Sequence, residues 1–322
     1  MHTRHVITSL LVSAALGLGS QAHASNDEEK ASGNAERPLR ILLTNDDGVS
    51  GPGMLRLRDV LCAAGHQVSV SAPSADRSGT SGALTLNLAI RATRTQFMCN
   101  GAPSSSWAVG GTPADAVLFG LAQAGAQRPD LVISGMNSGQ NVGRAVNHSG
   151  TVGAAVTAAE EGVPSIAVSI GLNFADAGTN FSQTTAAAPH AAAYVKELID
   201  QLRETAKKGE PLLPDRVALN LNYPVVLDSS GLFDPALVGQ PRVTVVGHGE
   251  VVRPRYLPIP SAPGMYAALG SICGLQVPCD AETVRDADTT ALAEGAISLT
   301  PLAVDGAVNP QLGAQIHSRL RR

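Results

Sequence analysis

Short apolar runs and helically spaced apolar residues alternate through most of this chain. The run ILLT at 41–44 is typical of a buried strand and is followed by the turn-rich sequence NDDGVSGPG. A helical pattern covers 54–64, and QVSVSA at 67–72 has the character of a second strand. A strand, a helix and a second strand in this order predict a βαβ unit, with its two strands parallel in one sheet.

The same alternation continues to residue 224. Two helices are predicted because apolar residues recur three and four positions apart on one face: Ala114, Val117, Leu118 and Leu121 in one, and Val152, Ala155, Val156 and Ala159 in the other. Strands are predicted at 129–135, 164–170, 216–224 and 241–249, and a longer helix at 186–208. This pattern predicts an α/β fold: a doubly wound, Rossmann-like three-layer sandwich with a largely parallel sheet.

The two ends of the chain differ from this core, which we place at 40–224. Residues 1–24 combine Arg4, an apolar run at 7–19 and the small-residue sequence Ala-His-Ala, as a secretory signal does. A run of roughly 13 apolar residues spans about 20 Å as a helix, too short for a membrane core of ~30 Å, so a membrane anchor is disfavoured. Residues 25–39 have the polar composition of a flexible leader. Beyond the core, 225–322 is rich in Pro and Gly, and we predict a smaller β-rich extension there.

Export bears on how the four cysteines are interpreted, because disulfides form in oxidising compartments. Cys273 and Cys279 flank a short loop without the spacing of a zinc site, so a local disulfide is predicted. Cys62 falls in a predicted helix and is interpreted as a small buried hydrophobic residue, and its pairing with Cys99 stays open. We therefore expect a secreted or periplasmic protein with no membrane span after processing.

The net charge of the chain limits which classes of binding partner are expected. The net charge is −4, and acidic and basic residues are interspersed along the chain. A nucleic-acid duplex is therefore not an expected partner, because no basic face is available for its phosphate backbone. A small anionic substrate remains compatible with this composition.

Two adjacent carboxylates, Asp46 and Asp47, follow the first strand directly. The carboxyl ends of parallel strands are where open α/β sheets bind ligands. Two ionised carboxylates this close repel, so either a cation lies between them or one is protonated. Oxygen ligands suit Mg²⁺ or Mn²⁺. The alternative is an Asx turn with exposed acids that caps the next helix.

Polar loops at the same sheet edge favour the metal. The loop 74–82 is dense in hydroxyls, and the loop 135–143 is rich in Gly and Asn. Ser149, Gly150 and Thr151 then open a helix, where free N–H groups and the helix dipole favour an anion. We therefore expect a phosphate group beside the metal, its oxygens stabilised by Asn141 and by this helix start.

These segments resemble the SurE family of stationary-phase survival proteins, which are metal-dependent nucleotidases. The resemblance runs in order across about residues 40–305, and its segments are ILLTNDDG (41–48), SAPSADRSG (71–79), GGTPADAV (110–117), PDLVISGMNSGQNVG (129–143), HSGTVGAA (148–155), GVPSIAVS (162–169), LNLNYP (219–224) and DADTTALAEGAISLTPL (286–302). Familiar members are cytoplasmic, whereas this chain begins with the pattern of an export signal.

The resemblance implies a SurE-like fold and residue roles. One divalent metal ion per subunit, Mg²⁺ or Mn²⁺, would be held by Asp46, Asp47, Ser78 and Asn137. The phosphate pocket would be lined by Asn45, Asn141, Ser149, Gly150 and Thr151, beside the ligands Ser78 and Asn137. Of these, catalysis is assigned to Asp46, Asp47, Asn141, Ser149 and Thr151. The implied substrates are nucleoside 5′-monophosphates, with 3′-monophosphates as a second class. The implied assembly is a homodimer or homotetramer that exchanges C-terminal segments.

The same positions bear on other classes of protein. A dinucleotide-dependent oxidoreductase needs Gly-x-Gly-x-x-Gly after the first strand, where Asn45-Asp46-Asp47-Gly48 stands instead. A broader phosphatase or short-chain polyphosphatase stays open, because few aromatic residues are available to stack a base, and so does a secreted binding protein without turnover. His148 is interpreted as a structural neighbour rather than a general acid, and Asp115 as a first-turn helix residue. Arg77 either contacts phosphate or braces its loop.

Overall fold

The fold is described from a computed structural model that covers residues 37–207, 209–273 and 275–304. The predicted signal at 1–24 and most of the leader at 25–39 lie outside these residues. Within the described ranges, no helix combines the length and the apolar composition that crossing a membrane requires.

Eleven strands and five α-helices follow one another along the described residues. The strands are β1 (Arg40–Thr44), β2 (Gln67–Pro73), β3 (Ala92–Cys99), β4 (Ala102–Val109), β5 (Leu131–Ser138), β6 (Ser165–Ile170), β7 (Val217–Tyr223), β8 (Gly239–Val243), β9 (Val252–Pro258), β10 (Tyr266–Ile272) and β11 (Ala296–Ala303). The helices are α1 (Pro52–Ala63), α2 (Pro113–Ala124), α3 (Gly150–Glu160), α4 (Ser182–Thr205) and α5 (Asp288–Ala293), with 3₁₀ turns at Gly143–His148, Phe174–Thr179 and Pro235–Leu237.

Nine of these strands form one sheet in the order β3-β4-β2-β1-β5-β6-β7-β11-β8. Six adjacent strands are parallel to one another: β4, β2, β1, β5, β6 and β7. The strands that flank this group are antiparallel to it, β3 to β4 and β11 to β7. The chain winds outward in both directions from β1 and β5, so the topological switch point lies between these two strands. The predicted doubly wound, largely parallel sheet is confirmed.

Helices cover the sheet on both faces. In β1, Ile41 and Leu43 belong to the core that includes buried residues of α1 and α4, whereas Leu42 belongs to the core that includes α2 and α3. Alternate residues of a strand point to opposite faces, so a strand buried on both sides needs a continuous apolar run. The three-layer architecture is therefore confirmed, with the sheet in the middle.

The edge of the sheet differs from the sequence expectation. The hairpin of β3 and β4 has no counterpart among the predicted strands, because polar residues are grouped within ATRTQFMC and APSSSWAV rather than alternating with apolar ones. Most of β3 is exposed, as an edge strand can be. Helix α4 also begins at Ser182, four residues before the predicted start.

The segment after residue 224 returns to the main sheet. Strand β11 pairs antiparallel with β7, and β8 pairs parallel with β11. Strands β9 and β10 form a separate antiparallel hairpin, with Tyr266 opposite Pro258. The predicted β-rich extension therefore consists of two strands of the main sheet and one projecting hairpin.

Two disulfides join the four cysteines. Cys273 and Cys279 are bonded, which confirms the predicted local disulfide. Cys62 is bonded to Cys99, with a Cα–Cα distance of 5.2 Å, so the pairing that the sequence left open is formed. The reason is tertiary: the unpredicted strand β3 brings Cys99 to the end of α1.

Candidate metal and phosphate site

The turn after β1 is held by the side chain of Asn45. Its Nδ2 donates to the Gly48 carbonyl at 2.9 Å, and its Oδ1 accepts from the Gly48 N–H at 3.1 Å. Gly48 has a φ of +96°, a conformation that favours glycine. Gly51 is also required, because a Cβ there would lie 2.4 Å from Asn45 Nδ2. This tight turn presents Asp46 and Asp47 at the carboxyl edge of the sheet.

Asp46 contacts the start of α3. Its side chain is 3% exposed, and Oδ1 accepts a hydrogen bond from the Thr151 hydroxyl at 2.6 Å. A Cβ on Gly150 would lie 2.8 Å from Cβ of Asp46, so only glycine allows this approach. The predicted metal ligand and the predicted phosphate-binding helix start are therefore brought into direct contact.

The surroundings of Asp46 and Asp47 disfavour the ionised form of both carboxyl groups. Burial raises the pKa of Asp46, although the Thr151 hydroxyl opposes the rise. Burial also raises the pKa of Asp47 to about 6, and the neighbouring charges of Asp46 and Asp76 add to the effect. A divalent cation would offset both the burial and the repulsion, and the available ligand atoms are oxygens. The residues present therefore fit a hard divalent metal ion.

The loop after β2 lies beside the same turn. The backbone N–H of Arg77 donates to the Asp46 carbonyl at 2.7 Å. Ser78, a predicted metal ligand, is exposed, and its hydroxyl donates to Asp76 Oδ1 at 2.6 Å. The structure thus places the Arg-Ser-Gly loop next to the paired aspartates.

Asn137 lies at the end of β5, the neighbour of β1 in the sheet, and Asn141 lies in the loop that follows. Asn137 is half-buried, and its Nδ2 donates to the Gly139 carbonyl at 2.8 Å. Helix α1 packs closely behind this strand end, because a Cβ on Gly53 would lie 2.1 Å from the Met136 carbonyl oxygen. The switch point between β1 and β5 therefore lies between the turn that carries Asp46 and Asp47 and the strand end that carries Asn137.

Asn141 is 8% exposed and is fixed by two asparagines of β7. Its N–H donates to Asn222 Oδ1 at 2.7 Å, and its carbonyl accepts from Asn220 Nδ2 at 2.8 Å and Asn222 Nδ2 at 3.2 Å. The Asn141 side chain donates to Ser169 Oγ at 2.9 Å. This buried amide network sets where Asn141 lies relative to α3.

Ser149 caps α3. Its hydroxyl accepts a hydrogen bond from the Val152 N–H at 3.1 Å. Gly150 and Thr151 are buried in the first turn, where backbone N–H groups have no acceptor within the helix. An anion at this helix start would be favoured by those groups and by the helix dipole.

The remaining candidates lie as follows. Asp115 and Thr112 form a capping box at the start of α2, which confirms Asp115 as a first-turn residue. His148 is exposed and stands just before Ser149, and Arg77 is exposed in its loop. Asp76, Asn220 and Asn222 were not among the predicted site residues. The sequence pattern could have indicated Asn220 and Asn222, because polar residues two apart in a Leu-rich strand share one face.

A doubly wound sheet with paired carboxylates at its switch point, beside an anion-binding helix start, defines a metal-binding α/β protein for phosphorylated ligands. Residues 41–244 match the family described as "Survival protein SurE". The chain belongs to the SurE family.

Individual relatives agree with this membership. The chain is 45% identical over 188 residues to "5'-nucleotidase SurE" of Desulfatibacillum aliphaticivorans, covering 58% of this chain and 66% of that protein. It is 34% identical over 278 residues to "5'-nucleotidase SurE" of Gloeobacter violaceus, covering 85% and 94%. The crystal structure of the SurE protein from Aquifex aeolicus superposes with a TM-score of 0.63 at 25% identity, covering 88% of this chain and all of that one.

Proposed function

We propose that this protein is a divalent-metal-dependent nucleotidase that hydrolyses nucleoside monophosphates to nucleoside and phosphate. The observation that carries the proposal is the contact between buried Asp46 and the α3 start, which joins a carboxylate pair to an anion site. Both relatives described above carry the name 5'-nucleotidase. A phosphate ester that binds a metal and a helix start together suits this arrangement.

Each residue has a distinct part in this proposal. Asp46, Asp47, Ser78 and Asn137 would hold the metal, which when bound supplies charge neutralisation at the phosphoryl group and a more acidic bound water. The oxygen-only ligand set favours Mg²⁺ or Mn²⁺. Thr151 holds the Asp46 carboxylate in one orientation through its hydroxyl, and its place in the first turn of α3 makes it part of the helix start that would favour the phosphate.

The phosphate end is specified more closely than the nucleoside end. Asn141 is fixed by a buried network, and the N–H groups of α3 are fixed by the helix itself. Preorganised donors of this kind stabilise charge that develops on phosphoryl oxygens. We therefore propose activity on both 5′- and 3′-monophosphates with modest base discrimination, worth about 1–3 kcal/mol for a single contact.

A phosphate-release panel tests the activity. Nucleoside 5′- and 3′-monophosphates, short polyphosphate and sugar phosphates are assayed with Mg²⁺, with Mn²⁺ and with chelator. Nucleoside monophosphates should be hydrolysed fastest, and chelator should abolish every activity together because one metal site serves all substrates. Activity that survives complete metal removal, or sugar phosphates that outrun every nucleotide about 100-fold, would refute the assignment.

We also propose that the protein is exported and self-associates. Disulfides at Cys62–Cys99 and Cys273–Cys279 support an oxidising compartment such as the periplasm. Self-association is supported by apolar side chains exposed on the β9–β10 hairpin, including Tyr256 at 68% and Tyr266 at 62%. A homodimer or homotetramer would cover them, with exchanged C-terminal segments as one route.

A further inference from the structure

Asp76 lies in the loop after β2, two residues before Ser78. Its Oδ1 accepts hydrogen bonds from the Ser78 N–H at 2.8 Å and from the Ser78 hydroxyl at 2.6 Å. The neighbouring Arg77 N–H is bonded to the Asp46 carbonyl at 2.7 Å, so this short segment is anchored to the carboxylate turn. The charge of Asp76 also raises the pKa of both Asp46 and Asp47, which agrees with its closeness to them.

The hydroxyl of Ser78 has one proton and two lone pairs. A hydroxyl that binds a cation uses a lone pair, so its proton must point to an acceptor elsewhere. Asp76 is that acceptor, and the bond determines which directions the lone pairs take. Groups behind a metal ligand that orient it in this way typically change metal affinity 10–100-fold when removed, as an order of magnitude.

We propose that Asp76 is a positioning residue of the metal centre, holding the Ser78 hydroxyl in the orientation that binds a divalent cation and so setting metal affinity. The proposal rests on the proposed function, because Ser78 is a ligand only if this centre binds metal. Asp76 acts through Ser78 and is assigned no contact with substrate.

The chain contains a matched pair for comparison. Asp228 Oδ1 accepts from the Ser230 N–H at 2.8 Å and from the Ser230 hydroxyl at 2.7 Å, the same geometry in the loop after β7. None of its hydrogen bonds among the described residues reaches the Asp46 turn. Asp228→Ala therefore removes the equivalent pair of bonds, together with one from the Leu232 N–H, without disturbing the proposed ligands.

Calorimetric titration of the chelator-treated full chain with Mn²⁺ is the test. Asp76→Ala should raise the Kd for Mn²⁺ about 10–100-fold. Asp76→Asn should raise it by about threefold or less, because its carbonyl oxygen still accepts both bonds. Asp228→Ala should leave Kd unchanged. In a Ser78→Ala background, Asp76→Ala should add little further loss, since the group it orients is gone.

The possible failures are distinguishable. An unchanged Kd in Asp76→Ala would overturn the proposal, and so would an equal loss with and without the Ser78 hydroxyl, because Asp76 would then act by charge alone. A wild-type chain that binds no Mn²⁺ would instead remove the metal centre and the proposed function with it. Thermal unfolding of each variant verifies folding. If Asp76→Ala does not fold, the Kd for Mn²⁺ of Asp76→Asn is compared with that of Ser78→Ala instead.

Discussion

At the scale of single residues, Asp47 shows the clearest conflict between burial and charge. Its pKa is raised to about 6 by burial and then by the charges of Asp46 and Asp76. At neutral pH the metal-free protein therefore holds an ionised carboxylate in a place that disfavours it. Binding a cation relieves that conflict, which couples metal binding to stability.

We expect Asp47→Asn to lower phosphate release by more than about 100-fold, because it removes a negative charge from the metal site while nearly preserving shape. Without metal, the variant should be more stable than wild type at pH 7. The folded pKa of Asp47 exceeds its unfolded value, so wild type gains a proton and stability as pH falls through about 6. Thermal unfolding in chelator should show a difference in stability between the variant and wild type at pH 7 that is smaller at pH 5.

Asp59→Asn is the matched control for that change. Asp59 lies on α1 with its side chain 67% exposed, and its substitution should leave activity unchanged. A folded Asp47→Asn variant that keeps more than about a tenth of wild-type activity at saturating metal would have lost under ~1.4 kcal/mol of transition-state stabilisation. That loss is too small for a metal ligand.

At the scale of elements, strand β7 buries apolar side chains on one face of the sheet and amide side chains on the other. Leu219 and Leu221 point to the core shared with α1 and α4, while Asn220 and Asn222 are fully buried on the other side. Those two amides hold both backbone groups of Asn141. The strand therefore holds in place Asn141, which we propose lines the phosphate pocket, although β7 contributes no predicted ligand itself.

We expect Asn222→Ala to lower kcat/KM by about 10-fold or more, because Asn141 is no longer held in place. The Asn141 N–H is left buried without an acceptor, which should reduce the free energy of unfolding by about 1–3 kcal/mol. Steady-state kinetics and urea unfolding measure the two effects.

Ser165→Ala separates stability from positioning. Ser165 on β6 is buried and donates to the Ala155 carbonyl at 2.6 Å, away from Asn141. Its loss should lower stability with kcat/KM unchanged. If Asn222→Ala lowers stability alone, as Ser165→Ala is expected to do, β7 has no positioning role.

At the scale of the whole molecule, the β9–β10 hairpin carries several large apolar side chains that are exposed. Tyr256, Met265, Tyr266 and Leu269 are between 48% and 68% exposed. A second copy of the chain is the partner that we propose for this surface. Mass spectrometry can test both this assembly and the removal of residues 1–24.

Native mass spectrometry of protein from its native compartment should show a dimer or tetramer. Under denaturing conditions, each subunit should begin at Ser25 and have the mass of a chain with both disulfides formed. A monomer at micromolar concentration would contradict the assembly proposal. Retention of residues 1–24, or free thiols at Cys273 and Cys279, would contradict export.

Much of the fold could be predicted from the sequence because its signals are local. The apolar run 41–44 predicted a buried strand, and apolar spacing predicted α2 and α3, since a helix or strand buries whichever side its own period makes apolar. The place of Asp46 and Asp47 was also predictable, because parallel strands bring their carboxyl ends to one edge. Strands β3 and β4 have no such alternation of polar and apolar residues, so their pairing could not be predicted this way.

The layers of the fold and the edge at which the site lies follow from the order of residues along the chain. Which polar groups meet depends on packing: Thr151 with Asp46, 105 residues apart, Asn141 with Asn222, 81 apart, and Cys62 with Cys99, 37 apart. Burial follows from a residue's own character, whereas a hydrogen bond or disulfide requires the distance and direction of a distant partner. Those relations exist only after the sheet and its helices have packed.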